Sequence, residues 1–369
     1  MPDQTEPEAS RPQTEPEASR PQSPLLAWPG AVEASWPDEG VAAHYGDPLR
    51  EQRTIEESAG IVDRSCRGVL RITGPDRLTW LHSLTTQQLE GLAAGAAAQA
   101  LVLSPNGHVE HHLTLTDDGT AVWVHVEPGT AAALADFLES MRFMLRVEVA
   151  DLSQGYAVLT VLGPAAGDLV AGLDGVQASV NPGSFGTIDL IVARDQLPEV
   201  AGNLLRRGAA AAGMLAFEAL RIAAHVPRLG LDTDHRTIPH EVGWIESAVN
   251  LSKGCYRGQE TVARVHNLGH PPRRLVFLHL DGSADRLPGH GDPVELASGE
   301  PGAAVGFIGS AAWHYELGPI GLALVKRTVP VDATLLAGSA PGVAAAQEVI
   351  VPPDAGANVK VTLRRRQLM

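Results

Sequence analysis

The stretch Lys253-Gly254-Cys255-Tyr256-Arg257-Gly258-Gln259-Glu260 concentrates the reactive side chains of this 369-residue chain. It sets one of only two cysteines between a lysine and an arginine, with a glycine close by on each side. A thiol attacks or ligates as the thiolate, and fixed positive charge nearby favours that form. Glycine permits tight turns and close approach of a ligand to the backbone. Cys255 is therefore the leading candidate for chemistry, as a nucleophile, a redox thiol or a transient metal ligand, with Lys253 raising its thiolate fraction. The competing reading is a surface turn that happens to hold a cysteine.

Other residues carry weaker signals. Cys66, in Asp63-Arg64-Ser65-Cys66-Arg67-Gly68, reads as a small structural hydrophobe. His108, His111 and His112 fall within five residues, but neighbours in a strand point to opposite faces, so His111 and His112 do not share one ion and no metal site is expected. Asp232 and Asp234 suit turn chemistry or ligand recognition. Arg264, in Thr261-Val262-Ala263-Arg264-Val265, follows the octet at strand spacing and suits a carboxylate, a phosphate or a surface ion pair. Arg273-Arg274 after two prolines reads as an exposed linker. Walker, Rossmann, HExxH and CxxC patterns are all missing, which removes nucleotide-dependent and zinc-hydrolase readings.

The elements that must hold these residues follow from composition and pattern. A 44% hydrophobic content supports large cores, and the length suits two or three domains. A net charge of −15 opposes direct nucleic-acid or anionic-membrane binding. Two cysteines supply neither a disulfide framework nor a four-thiolate cluster, so a reducing cytoplasm is the expected compartment. The N-terminal stretch lacks a basic region followed by an apolar core, and no apolar run reaches membrane-spanning length.

Residues 5–13 repeat as residues 14–22, and residues 1–48 read as a disordered Pro/Glu-rich tail. Val69–Ile72 is a strand stopped by Gly74-Pro75, with a helix through Leu78, Leu81 and Leu84. Asn106-Gly107 turns a hairpin from Leu101 to Leu115. Val158 to Pro164 repeats the strand–Gly-Pro–helix phrase, which suggests a duplicated module. Helices are expected over Ala131–Met144, Leu197–Arg207 and Ala211–Ala224. From Pro271-Pro272 onward, short apolar runs ending with Val359–Leu363 alternate with Gly/Pro turns, the spacing of a small barrel. The expected fold is α+β. Two related antiparallel-sheet-plus-helix subdomains, 49–155 and 156–270, precede a β-barrel at 271–369.

The octet also resembles the signature of YgfZ-type folate-binding proteins, relatives of the glycine-cleavage T-protein (aminomethyltransferase). Their pattern, Lys-Gly-Cys-Tyr-x-Gly-Gln-Glu, is matched at Lys253, Gly254, Cys255, Tyr256, Gly258, Gln259 and Glu260. Ala219–Glu241 and Gly68–Thr86 are similar to further parts of that family. The resemblance implies two related α+β subdomains and a barrel around a cavity for tetrahydrofolate or another reduced folate. It implies binding roles for Gly254, Tyr256, Arg257, Gly258, Gln259, Glu260 and Arg264, and a central role for Cys255. It implies an accessory protein that supports assembly or repair of iron–sulfur client enzymes, and through them tRNA modification, without turnover of its own.

Two departures qualify this picture. The T-protein hairpin carries an aspartate that handles the aminomethyl group, and here His111 and His112 follow Val109-Glu110. Folate-binding relatives have Arg-x-Glu-Ala-Gly where this chain has Arg221-Ile222-Ala223-Ala224-His225. Loss of that bidentate acceptor costs on the order of 1–3 kcal/mol of ligand binding unless Asp232, Asp234 or Glu241 substitutes. The alternatives are a tetrahydrofolate-dependent aminomethyltransferase and a scaffold that has lost folate.

Overall fold

The computed structural model describes residues 21–181 and 185–357, arranged as two five-stranded sheets with covering helices and a closed six-stranded barrel. The α+β expectation holds. The first sheet runs through Ala97–Leu103, Val109–Asp117, Ala121–Val126, Gly68–Thr73 and Glu148–Asp151, all antiparallel. The second runs through Val176–Val180, Ile188–Ala193, Tyr156–Leu162, Gly60–Asp63 and Ala210–Ala212, with only the last pair parallel.

The repeated strand–Gly-Pro phrase has one physical cause in both sheets. Gly74 has φ +106 and Gly163 has φ +110. A Cβ on Gly74 would lie 2.0 Å from the Arg146 carbonyl oxygen, and one on Gly163 2.3 Å from that of Ile55. Both corners press backbone on backbone in the left-handed region, so both demand glycine. The helices Arg77–Leu84 and Ala166–Val170 follow them.

The sheets do not divide where the sequence suggested. Gly60–Asp63, expected in the unit 49–155, pairs antiparallel with Tyr156–Leu162 and parallel with Ala210–Ala212. All four of its residues are buried. A parallel partner 150 residues away leaves no local signature.

The tail expected through residue 48 also ends earlier. Ser23 caps a short 3₁₀ turn, Pro24–Ala27, and Leu25 enters the core of the second sheet. Val41 is buried with Met214 and Phe217. Asp38 is buried against an arginine of the body. A few well-placed apolar and acidic groups anchor a stretch whose composition alone reads as unstructured. Residues 1–20, which hold most of the nonapeptide repeat, lie outside the described residues.

The barrel closes through Arg273–Leu280, Gly318–Lys326, Ala304–His314, Pro293–Leu296, Leu335–Ala337 and Val343–Val349. The expected strand Val359–Leu363 lies outside the described residues. No helix among the described residues is long and apolar enough to cross a membrane.

Candidate functional site

The octet docks on the tip of the hairpin formed by Ala97–Leu103 and Val109–Asp117. Gly258, at φ +82, caps the helix Gln259–Leu268, and a Cβ there would lie 2.7 Å from the Ser104 carbonyl oxygen. A Cβ on Gly107, in the hairpin turn, would meet the Thr261 Cβ at 2.7 Å. Glycine on each side lets the two turns interlock. The segment Thr261–Val265 is therefore helical rather than extended. A left-handed Gly258 starts the helix, and Val262 packs it into the core.

The eight residues divide by depth. Lys253 is buried, and its ammonium donates to the carbonyls of His82 and Thr85 at the end of the helix Arg77–Leu84. It also lies 5.0 Å from the Tyr256 ring centroid. Desolvation lowers its pKa to about 8. The lysine thus satisfies orphan carbonyls at a helix C-terminus, where a cation is favoured. Tyr256 sits in the core with Trp244 and Val262, and burial raises its hydroxyl pKa to about 12. Arg257 pairs with Glu110 at 3.0 Å and lies over Phe137. Gln259 lines a small cavity with Tyr256 and His266. Glu260 and Arg264 form an exposed i,i+4 pair at 3.5 Å. Cys255 is an exposed free thiol, and a Cβ on Gly254 would meet nothing within 4 Å.

A second polar assembly lies between the two sheets and the barrel. Arg228 forks onto Asp38 with bonds of 2.8 and 2.9 Å, and also bonds Glu127 at 2.8 Å and Glu218 at 2.9 Å. Arg67 bonds Glu127 at 2.6 Å and donates through Nε to His125 Nδ1 at 2.9 Å. An accepting Nδ1 puts the neutral ring's proton on Nε2, which faces Asp189 at 3.1 Å. Arg64 pairs with Asp189 and stacks on Phe217. Arg221 holds Glu218, Asp232 and Ser310. The arginines hold Glu127 and Asp189 far below the usual carboxylate range against the opposing effect of burial, and desolvation lowers His125 to about 4.

Sequence reasoning missed this cluster. The available signal was a lone polar residue in an apolar strand: His125 in Ala121–Val126 and Asp189 in Ile188–Ala193.

Beside the cluster lie two clefts that share Gln99, Val226 and Pro227, with volumes of about 60 and 480 Å³. The larger is lined by Gln99, His225, His240, Trp244 and Val351, among others. None of the octet residues lines either cleft. His225 holds φ +61, the left-handed conformation that the glycine of the resembling pattern adopts without strain. His240 is buried with no hydrogen bond to either ring nitrogen, and burial lowers its pKa to about 4. A buried imidazole with no protein hydrogen-bond partner calls for a water, an ion or a ligand beside it.

His112 stacks 4.6 Å from Trp244 and contacts Gln99 at 2.9 Å, while His111 faces Phe137 on the other side of the strand. Burial lowers both to about 4. Ala223 packs against the core, so no carboxylate stands at that position. Its three candidate substitutes are engaged elsewhere. Asp232 bonds Arg221 and Ser310, while Asp234 and Glu241 both clamp Arg273. Arg273 and Arg274 are not an exposed linker: the first ties the loop 234–241 to the barrel, and the second is fully buried on Val329 and Gln347. Cys66 is buried 3.6 Å from Asp38, and burial pushes its thiol pKa up. No group of three metal-ligating side chains occurs among the described residues.

Comparison with known proteins follows the fold. Residues 45–193 match the family model described as the GCVT N-terminal domain. A chloroplastic protein of Arabidopsis thaliana described as a transferase is 24% identical over 314 residues, covering 77% of this chain and 70% of its own. The aminomethyltransferase of Parasynechococcus marenigrum is 28% identical over 315 residues, covering 76% and 83%. That of Rubrobacter xylanophilus is 28% identical over 304 residues, covering 76% and 80%. The crystal structure of the glycine cleavage system aminomethyltransferase T from Bartonella henselae superposes with a TM-score of 0.75 at 18% identity, over 91% of this chain and 98% of that one. The fold is that of the T-protein.

Proposed function

We propose that this chain binds a reduced folate in the cleft beside the arginine cluster and acts as an accessory protein for iron–sulfur enzymes, with an indirect effect on tRNA modification. The hairpin carries this reading. Glu110 is committed to Arg257, His111 turns to Phe137 on the other face, and His112 faces the smaller cleft, so the strand offers one imidazole there where aminomethyl transfer by a T-protein needs a carboxylate. The matched octet supports the same reading, with Cys255 held out in solvent on a rigidly docked turn.

The cleft suits a pterin on its own chemistry. About 480 Å³ lies within the usual range for small-ligand sites. Trp244 offers an aromatic face, Gln99 an amide, and His240 two nitrogens that have no protein partner. A bound tetrahydrofolate supplies a nitrogen that carries one-carbon units. Two free thiols and a net charge of −15 suit a reducing cytoplasm.

A second reading is a tetrahydrofolate-dependent aminomethyltransferase. The names of the relatives favour it, and so does their coverage, since the alignment with the Parasynechococcus marenigrum enzyme takes in 83% of that protein.

Calorimetric titration with tetrahydrofolate tests the shared premise. Saturable heat in the wild type that is weakened by Trp244→Ala supports it, and no heat at millimolar ligand leaves only a folate-free scaffold. Tetrahydrofolate-dependent ammonia release from an aminomethylated carrier protein separates the two readings. Robust turnover establishes the transferase. Its absence, together with loss of an iron–sulfur enzyme's activity in a strain lacking this chain, establishes the accessory role.

A further inference from the structure

A larger cavity, about 780 Å³, opens against Asp38 and Glu218 of the arginine cluster, between residues 34–49, the helix Met214–Ala223 and the barrel strand Ala304–His314. It shares no lining residue with the folate cleft. Its rim leaves large apolar groups in solvent: Trp36 is 56% exposed, Leu215 48% and Trp313 38%. Apolar groups of this size gathered around a concavity mark a binding site rather than ordinary surface.

The cavity is built rather than incidental. Gln52, in the helix Pro48–Glu57, bonds the Trp313 carbonyl at 2.9 Å and receives the Tyr315 amide at 3.0 Å, which fastens that helix to the barrel. Asp38 and Glu218 stand at its floor, but both are held by Arg228. All four of their oxygens receive arginine donors, from Arg228 and Arg221, and are thus engaged within the protein.

Two imidazoles line the cavity, and they play opposite roles. His290 lies 5.2 Å from the Trp36 ring, and its Nδ1 contacts the Gly309 carbonyl at 3.0 Å. A carbonyl only accepts, so the proton sits on Nδ1 and the neutral ring presents Nε2 as an acceptor. His314 Nδ1 instead accepts from the amides of Glu316 and Leu317, each at 3.2 Å, so its proton sits on Nε2. One ring accepts and the other donates.

We propose that this cavity is a second ligand site, for an uncharged, ring-bearing molecule that carries a hydroxyl group. Tryptophan and leucine walls take the ring. The hydroxyl donates to His290 Nε2, the nitrogen left free to accept. The floor carboxylates are already engaged by arginines, so the ligand needs no cationic group to meet them.

Fluorescence titration of the full chain with 2-naphthol tests the site, with naphthalene as the ligand lacking the hydroxyl. The wild type is expected to bind 2-naphthol more tightly than naphthalene. Leu215→Arg, at a half-exposed rim position, should weaken both roughly tenfold or more by placing a charge in the apolar mouth. His290→Leu should weaken 2-naphthol roughly tenfold and leave naphthalene unchanged. Melting temperature and tetrahydrofolate titration of each variant report folding and the other cleft separately. Equal affinity of the wild type for the two probes overturns the hydroxyl assignment. Failure to bind either, or binding unaffected by Leu215→Arg, overturns the site.

Discussion

The octet and the arginine cluster are both polar, yet they are built in opposite ways. The octet is one continuous stretch whose buried members, Lys253, Tyr256 and Gly258, bolt it to a helix end, a core and a hairpin turn. Cys255, the member proposed to carry chemistry, stays outside. The cluster draws Asp38, Arg64, Arg67, Glu127, Asp189, Glu218 and Arg228 from distant parts of the chain into a buried network. In the first, the residues that hold the fold and the exposed thiol are different ones. In the second, every charge depends on the others, because a buried ion without its partner is far more costly than an exposed one.

That contrast is tested most severely at Arg228. Arg228→Ala leaves Asp38 and Glu127 buried without their main counter-charge. Denaturant unfolding should report a loss of about 3–5 kcal/mol. A loss below about 1 kcal/mol would mean the carboxylates simply protonate or hydrate. Truncating residues 1–40 removes Asp38 and Leu25 together, and should likewise destabilise the chain strongly rather than leave it unchanged.

Within the octet, Gly258→Ala forces a side chain into the left-handed region and onto the Ser104 carbonyl. It should cost about 1–3 kcal/mol by the same measurement. Gly254→Ala meets open space and should stay within about 0.5 kcal/mol. Equal effects from the two glycines would break the division of the octet into a docking half and an exposed half.

Acid should weaken the fold through its buried histidines and through the carboxylates of the network. His111, His112, His125 and His240 are lowered to about 4 in the folded chain. The unfolded chain, with imidazoles near 6.5, binds more protons between those values, so stability falls as pH drops from about 6.5 toward 4. Glu127 and Asp189 add to the loss below about pH 4.5, because their folded pKa values are depressed. Lys253, lowered to about 8, acts at the other end: stability rises as pH climbs from about 8 toward 10.5, where only the unfolded chain still holds that proton. Melting temperatures across this range check both signs.

The smallest effect on folding is expected at the residue with the largest expected effect on function. Cys255→Ala should leave the melting temperature within about 2 °C, since the thiol is exposed. In complementation of a strain lacking this chain, the same variant should fail to restore iron–sulfur enzyme activity. Full rescue would remove the cysteine from the mechanism.

Some of this was written in local sequence. Gly74-Pro75 and Gly163-Pro164 mark the two equivalent corners, because a left-handed turn pressed against backbone admits only glycine. Asn106-Gly107 marks the hairpin, and short apolar runs between Gly/Pro turns mark the barrel. The octet announces itself by residue type alone. These features are short-range, so spacing and chemistry reveal them directly.

Tertiary structure decided the rest. Gly60–Asp63 joins the second sheet through a parallel partner far along the chain. Residues 21–48 fold because Leu25, Val41 and Asp38 find distant partners. Arg273 and Arg274, which look like a solvent-facing pair, become a clamp and a core residue. Lys253, which reads as an activator of the adjacent thiol, donates instead to the end of a helix some 170 residues earlier in the chain. In each case the free energy of a charged or apolar group depends on what surrounds it after folding, and burial with a distant partner leaves no mark on neighbouring positions in the chain.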